Sequence, residues 1–147
     1  MTPHALMQRY IGMKEVPGVA SNPQILKMLT LDQKWPKDDS VPWCGAALNY
    51  VCWQLRLPRS KSLMARSWLS VGTPIALKEA KPGYDVIILK RGGPNQPGPT
   101  VLNAPGHVGL FSGLEGFIVY VLAGNQGDSV SVAPFKTSLV LGVRRLS

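Results

Sequence analysis

The sequence has few of the residues from which catalytic and metal sites are usually built. Its 147 residues include only two cysteines and two histidines. Structural zinc sites use Cys and His ligands at short paired spacings, and no CxxC pair is present here. His4 lies close to the N-terminus, which further limits any cluster of ligands. We therefore expect no zinc site.

The two cysteines are also badly spaced for a disulfide. Cys44 and Cys52 lie in an apolar segment that is predicted to be helical. The rise of a helix would set their Cα atoms about 12 Å apart, whereas the Cα atoms of a disulfide lie within about 7 Å. Two free thiols are typical of a protein made in a reducing compartment.

Long apolar runs are missing as well. No stretch approaches the roughly 18 apolar residues of a membrane-spanning helix, and the N-terminal residues lack the apolar region of a secretory signal peptide. We therefore expect synthesis in the cytoplasm without a signal peptide. The length predicts a single domain over residues 1–147, with no separate binding domain.

Acidic residues are scarce relative to basic ones. Eight Asp and Glu stand against 16 Lys and Arg, which gives a net charge of +8 and a pI near 9.8. With 45% hydrophobic residues the chain is too apolar to be disordered. The charge balance predicts a polyanionic partner such as nucleic acid, anionic lipid or an acidic cell-wall polymer.

Helical patterns precede strand patterns along the chain. Helices are predicted over residues 2–13, from Asn22 and Pro23 through Leu29, over 44–55 and over 62–69. Strands are predicted over residues 85–89, 107–111, 116–122, 129–132 and 139–143. This order predicts an α+β fold with helices packed on one side of an antiparallel sheet. The proline-rich segment between residues 91 and 106 is a long loop, a kind of segment that is often functional.

Cys44 is the candidate nucleophile. It follows a proline-bounded loop and opens the central helix, where the helix dipole and free N–H groups favour a thiolate. Gly45 would leave its backbone N–H accessible to an oxyanion. The alternative is that Cys44 is a small core residue, as free cysteines often are. Cys52, in the middle of the helix among apolar residues, is predicted to be core.

His107 is the candidate base, because a nucleophilic cysteine usually needs a histidine. It begins a predicted strand, and the following strand ends near it if the two form a hairpin. Asn125, Gln126 or Asp128 could then hold the imidazole. Polar residues in a glycine-rich turn can also serve only to form the turn.

Several motifs together resemble a known family, the papain-like cell-wall hydrolases of the NlpC and CHAP type, and more closely their small phage-endolysin and secreted-amidase branch. The most specific are Trp-Cys-Gly-Ala at residues 43–46 and Gly-His-Val-Gly at 106–109. Further matches occur in the family's order at residues 12–18, 22–26, 39–42, 65–68 and 124–126. Two departures are Pro82-Gly83-Tyr84-Asp85, where the family usually has Pro-Gly-Asp, and the length of the loop after Arg91.

The resemblance implies a papain-like cysteine peptidase core that cleaves an amide bond in peptidoglycan. It implies Cys44 as nucleophile, His107 as general base and Asn125 as the third catalytic residue. The expected substrate-binding residues are Asp39, Trp43, Gly45 and Gln126, where Asp39 either lines the groove or binds the loop. No cofactor is implied, and we expect a monomer that is attracted to an anionic bacterial surface.

Within this interpretation the chain is a phage endolysin, made in the host cytoplasm and acting in the periplasm, or alternatively an interbacterial amidase effector. Two other classes remain. A glycosidase would need a carboxylate pair, for which Glu15 and Asp39 are conceivable. A nucleic-acid-binding domain would use the basic residues, but no known binding motif accompanies them, so we expect no nucleic acid partner. Those basic residues are Arg56, Arg59, Lys61, Arg66, Arg144 and Arg145.

Overall fold

The computed structural model describes residues 1–16 and 21–147, so residues 17 and 18 of the first family motif lie outside the described residues. The helices are α1 (Pro3–Gln8), α2 (Pro23–Leu29) and α3 (Cys44–Gln54), with short 3-10 helices at Ala65–Ser70, Leu77–Glu79 and Thr137–Leu139. The strands are β1 (Thr73–Ile75), β2 (Asp85–Lys90), β3 (Gly106–Glu115), β4 (Ile118–Gln126), β5 (Ser129–Lys136) and β6 (Val140–Arg145). The predicted α+β order is confirmed. None of the helices in these two ranges is both long and apolar enough to cross a membrane.

The helix start predicted at Asn22 is confirmed. The Asn22 side chain accepts hydrogen bonds from the N–H groups of Gln24 and Ile25, and Pro23 occupies the first helical position. The first helix is shorter than predicted and ends at Gln8. Gly12, at φ +95°, instead turns the chain so that its N–H donates to Val130 O in β5.

Helix α3 lies at the centre of the molecule. Every residue from Cys44 to Cys52 is buried, because β3 and β4 cover one side of the helix while α1 and α2 cover the other. Asn49 is the buried polar residue of this helix, and it donates to Ser62 O and accepts from Lys61 N. These bonds fix the segment that follows α3 against the helix.

The described residues form one antiparallel sheet in the order β1-β6-β2-β3-β4-β5. The antiparallel pairing of β3 with β4 and of β4 with β5 follows the prediction. The short edge strand β1 was not predicted, and β6 returns across the sheet to pair with β2. The middle of the sheet is buried on both faces, since Ile87 and Leu89 of β2 pack in a second cluster, separate from the cluster that contains α1, α2 and α3. Strand β2 therefore reads as a continuous apolar run.

Candidate active site

Cys44 is the first residue of α3 and is almost fully buried, with 3% of its surface exposed. Burial opposes a thiolate, but a hydrogen bond to His107, the charge of that imidazole and a bond from the Val108 N–H together lower the pKa of Cys44. No side chain caps the start of α3. The backbone N–H groups of the first helical turn therefore have no side-chain acceptor from a capping residue.

His107 is the second residue of β3 and lies opposite Leu89 in the sheet. Burial lowers the pKa of the imidazole, yet the hydrogen bond and charge of Cys44, together with a bond to Gln126, outweigh it and raise the pKa. The pKa of the thiol is thus lowered and that of the imidazole raised. This is the pattern of a thiolate paired with an imidazolium.

Gln126 holds the other side of the imidazole. Its Oε1 lies 2.9 Å from His107 Nε2, and its Nε2 donates to Val121 O at 3.2 Å and to Ser131 O at 2.7 Å. Because carbonyl oxygens only accept, these two bonds fix the orientation of the amide so that Oε1 faces the imidazole. His107 Nε2 therefore carries a proton, and Nδ1 is left for Cys44.

The sequence assigned the third position to Asn125, whereas the structure puts Gln126 on the imidazole. The reason is an irregularity in β4, where the register with β5 shifts between Ala123 and Gln126. Asn125 takes a left-handed φ of +60° at this bulge, which changes the side-chain alternation of the strand. β4 also extends to Gln126, beyond the predicted end at residue 122. The Asn125 side chain lies instead beside a cavity that His107 also lines.

Three residues expected to bind substrate are buried in structural contacts. Trp43 has no exposed surface, and its Nε1 donates to Glu15 Oε2 at 3.1 Å. The Asp39 carboxylate accepts from the N–H groups of Val16 and Asn22, so it binds the loop, which was one of the two alternatives for it. A Cβ on Gly45 would lie 3.0 Å from Leu63 O. Gly45 thus permits close packing on the segment after α3.

Two cavities flank the Cys44–His107 pair. One, of about 390 Å³, is lined by Cys44 and by the end of the long loop, Asn103 to Gly106. The other, of about 450 Å³, is lined by His107, Asn125 and Gln126. Arg91 lines both. The long loop thus forms part of the walls on both sides of the pair.

Arg66 is one of the basic residues that a nucleic-acid-binding domain would use, yet it does not lie on the surface. It is fully buried, with Nε donating to Pro105 O and Nη1 donating to Gly98 O and Val101 O. It therefore holds the long loop in place. The sequence carried a signal for this role only in the match at residues 65–68.

Other arginines of that set are also engaged in contacts within the fold. Arg59 pairs with Asp32 at 2.6 Å, and Arg145 pairs with the buried Asp85 at 2.8 Å. Arg144 donates to Leu69 O.

Within residues 1–16 and 21–147, no group of three or more His, Cys, Asp or Glu is arranged to hold a metal ion. The rival carboxylates Glu15 and Asp39 line neither of the two cavities.

No protein-family model and no curated protein sequence matches this chain. Among solved structures, the fold is similar to that of NlpC1 from Trichomonas vaginalis, with a TM-score of 0.56 and 17% sequence identity. The match covers 98% of this chain and 42% of the NlpC1 chain, so this chain spans less than half the length of that protein. The likeness shows an NlpC-like, papain-like fold, which confirms the fold class predicted from the sequence.

Proposed function

We propose that this protein is a cysteine peptidase or amidase that hydrolyses an amide bond in the stem peptide of bacterial peptidoglycan. The observation that carries the proposal is the juxtaposition of Cys44, at the start of the central helix, with His107, whose imidazole is hydrogen-bonded to Gln126. The NlpC-like fold supports the same assignment by analogy.

In the proposed acylation step, the Cys44 thiolate attacks the carbonyl carbon of the scissile amide and forms a C–S bond. Backbone N–H groups at the start of α3 stabilise the oxyanion of the tetrahedral intermediate. When the C–N bond breaks, His107 gives its Nδ1 proton to the leaving nitrogen, which departs as a neutral amine. The product of this step is a thioester on Cys44.

Deacylation returns the site to its starting state. His107 takes a proton from water through Nδ1, and the resulting hydroxide equivalent attacks the thioester carbonyl. The C–S bond breaks to release a carboxylic acid and the Cys44 thiolate, and the imidazolium is restored. Gln126 keeps the imidazole oriented through both steps by accepting from Nε2.

The biological setting we propose is host lysis by a phage endolysin that is made in the bacterial cytoplasm and acts on the wall in the periplasm. The same chemistry would serve an interbacterial effector. The net charge of +8 supports attraction to an anionic wall or outer-membrane surface. We propose that the protein acts as a monomer.

Turbidity of purified sacculi tests the proposal. The wild-type protein should clear the suspension, and Cys44→Ala should abolish clearing because it removes the nucleophile. Cys52→Ala is the matched control, since Cys52 is a buried core thiol on the same helix. It should retain clearing at a temperature where it remains folded. Clearing by the Cys44 variant at the wild-type rate would eliminate the cysteine mechanism.

A further inference from the structure

Arg91 occupies an unusual place beside the candidate site. It directly follows β2, at the start of the long loop. Among the residues that the structure describes, it alone lines both the cavity of about 390 Å³ and the cavity of about 450 Å³ described above. Cys44 lines the first cavity and His107 the second. Arg91 therefore lies where the two cavities meet. The parts of a bound substrate on either side of the reacting pair would occupy these cavities.

The surroundings of Arg91 favour an anionic ligand. Within residues 1–16 and 21–147, no Asp or Glu lines either cavity, and Lys90 adds a second positive charge to the larger one. The Arg91 side chain makes no salt bridge within the described ranges 1–16 and 21–147, unlike Arg59 and Arg145. Lys90 Nζ, by contrast, already donates to Pro94 O.

The charge of Arg91 reaches the reacting groups themselves. It contributes to lowering the pKa of Cys44 and also acts to lower the pKa of His107. Because Arg91 shares one cavity lining with Cys44 and the other with His107, it can meet a charged group of a substrate whose carbonyl lies at Cys44. A guanidinium binds a carboxylate through two parallel hydrogen bonds, which fixes orientation as well as supplying charge.

We propose that Arg91 is a specificity-determining residue that binds a free carboxylate of the substrate close to the scissile amide. The inference rests on the proposed function, and it narrows the substrate to acidic peptides in which a carboxylate lies within a residue or two of the cleaved bond. Amidation of that carboxylate would then remove the charge-assisted contact and leave Arg91 facing a neutral group.

Alkylation of Cys44 tests the anion site without any peptide. Iodoacetate carries a carboxylate and iodoacetamide a neutral amide, while both react through the same thiolate. The ratio of their rates at Cys44 therefore reports local anion binding, because any change in the pKa of the thiol cancels. Arg91→Gln should lower the iodoacetate-to-iodoacetamide ratio by about threefold, a value typical of one exposed charge pair.

Lys78→Gln is the matched control, because Lys78 is an exposed cation that lines neither cavity. It makes the same change in net charge and should leave the ratio unchanged. An Arg91→Gln ratio as close to wild type as that of Lys78→Gln would overturn the proposal.

A pair of stem peptides, one with the free carboxylate and one amidated, extends the test to catalysis. Arg91→Gln should lower kcat/KM for the free acid by roughly tenfold more than for the amidated peptide, as expected for loss of a charge-assisted contact. Equal losses on both peptides would overturn the specificity role. If neither peptide is cleaved by wild type while the alkylation ratio still falls, the proposed function fails and the anion site stands.

Discussion

At the scale of single residues, two thiols on one helix have opposite chemistry. Cys44 and Cys52 are both buried. Burial raises the pKa of Cys52 to about 12, and the charge of Arg59 offsets only part of this rise. At Cys44 the contacts with His107 and Val108 overcome the same penalty and lower the pKa. A specific partner, not exposure, therefore separates the nucleophile from the core thiol.

The first prediction concerns the pH dependence of thiol reactivity. Because the pKa of Cys44 is lowered and that of His107 raised, the thiolate should persist below the pH at which an ordinary thiol becomes protonated. The pH profile of iodoacetamide alkylation at Cys44 should therefore lie at lower pH than that of an ordinary thiol. His107→Ala should move the profile to higher pH. A wild-type profile that follows an unperturbed thiol would contradict the ion pair.

The second prediction compares the two neighbours at the end of β4. Gln126→Ala removes the acceptor that orients the imidazole and should lower kcat for wall hydrolysis by about tenfold or more. Asn125→Gly suits the left-handed backbone there and removes a side chain that makes no bond to His107. It should cost less than the Gln126 change. The reverse order would return the orienting role to Asn125.

The sequence predicted part of this site. Cys44 and His107 could be paired because the chain offers so few alternatives, with His4 near the terminus and Cys52 in the middle of a helix. The choice between Asn125 and Gln126 depended on a bulge that shifts the register of β4. A bulge is set by pairing with another strand, so neighbouring residues alone do not reveal it.

At the scale of elements, the start of α3 is held in place by β4. A Cβ on Gly124 would lie 2.6 Å from the Trp43 ring and 3.1 Å from the Ala47 Cβ. The third prediction is that Gly124→Ala destabilises the fold by about 1–3 kcal/mol through overpacking, with the loss measured by urea unfolding. It should also slow alkylation of Cys44, which directly follows the displaced Trp43. Gly98→Ala is the control, since a Cβ there meets nothing within 4 Å.

The long loop depends on Arg66. Arg66→Met keeps most of the buried volume but removes the donors to Gly98, Val101 and Pro105. The fourth prediction is a loss of about 3 kcal/mol in the free energy of unfolding and faster proteolysis between residues 98 and 105, because the loop carbonyls lose the charged donors that tie them to the core.

Arg56→Met provides the comparison for Arg66, since Arg56 is an exposed arginine. It should change neither the stability nor the cleavage pattern. Equal protease resistance of the loop in the two variants would mean that Arg66 does not hold it.

The elements that the sequence predicted well are those with local signals. The start of α2 is marked by Asn22 and Pro23, and α3 by a continuous apolar stretch. The edge strand β1 and the return of β6 to β2 were not predicted, because both depend on contacts across the whole sheet. The segment at Ala65–Ser70 forms a 3-10 helix, although an ordinary helix was predicted there.

At the scale of the whole molecule, this basic chain has an NlpC-like fold, although its sequence is only 17% identical to that of the NlpC1 structure it resembles. Such a likeness fixes the architecture, while function depends on the site it carries. Here the site has a thiol at a helix start, an imidazole at the start of a strand and an amide that orients it. These three groups are the physical basis for proposing amide hydrolysis.

Mass spectrometry of muropeptides released from sacculi tests the central claim most directly. The wild-type protein should yield products in which one stem-peptide amide has gained a water, with the glycan strands uncut, and Cys44→Ala should yield none. Cleavage of glycosidic bonds by the wild-type protein, or the same amide products from Cys44→Ala, would contradict the account.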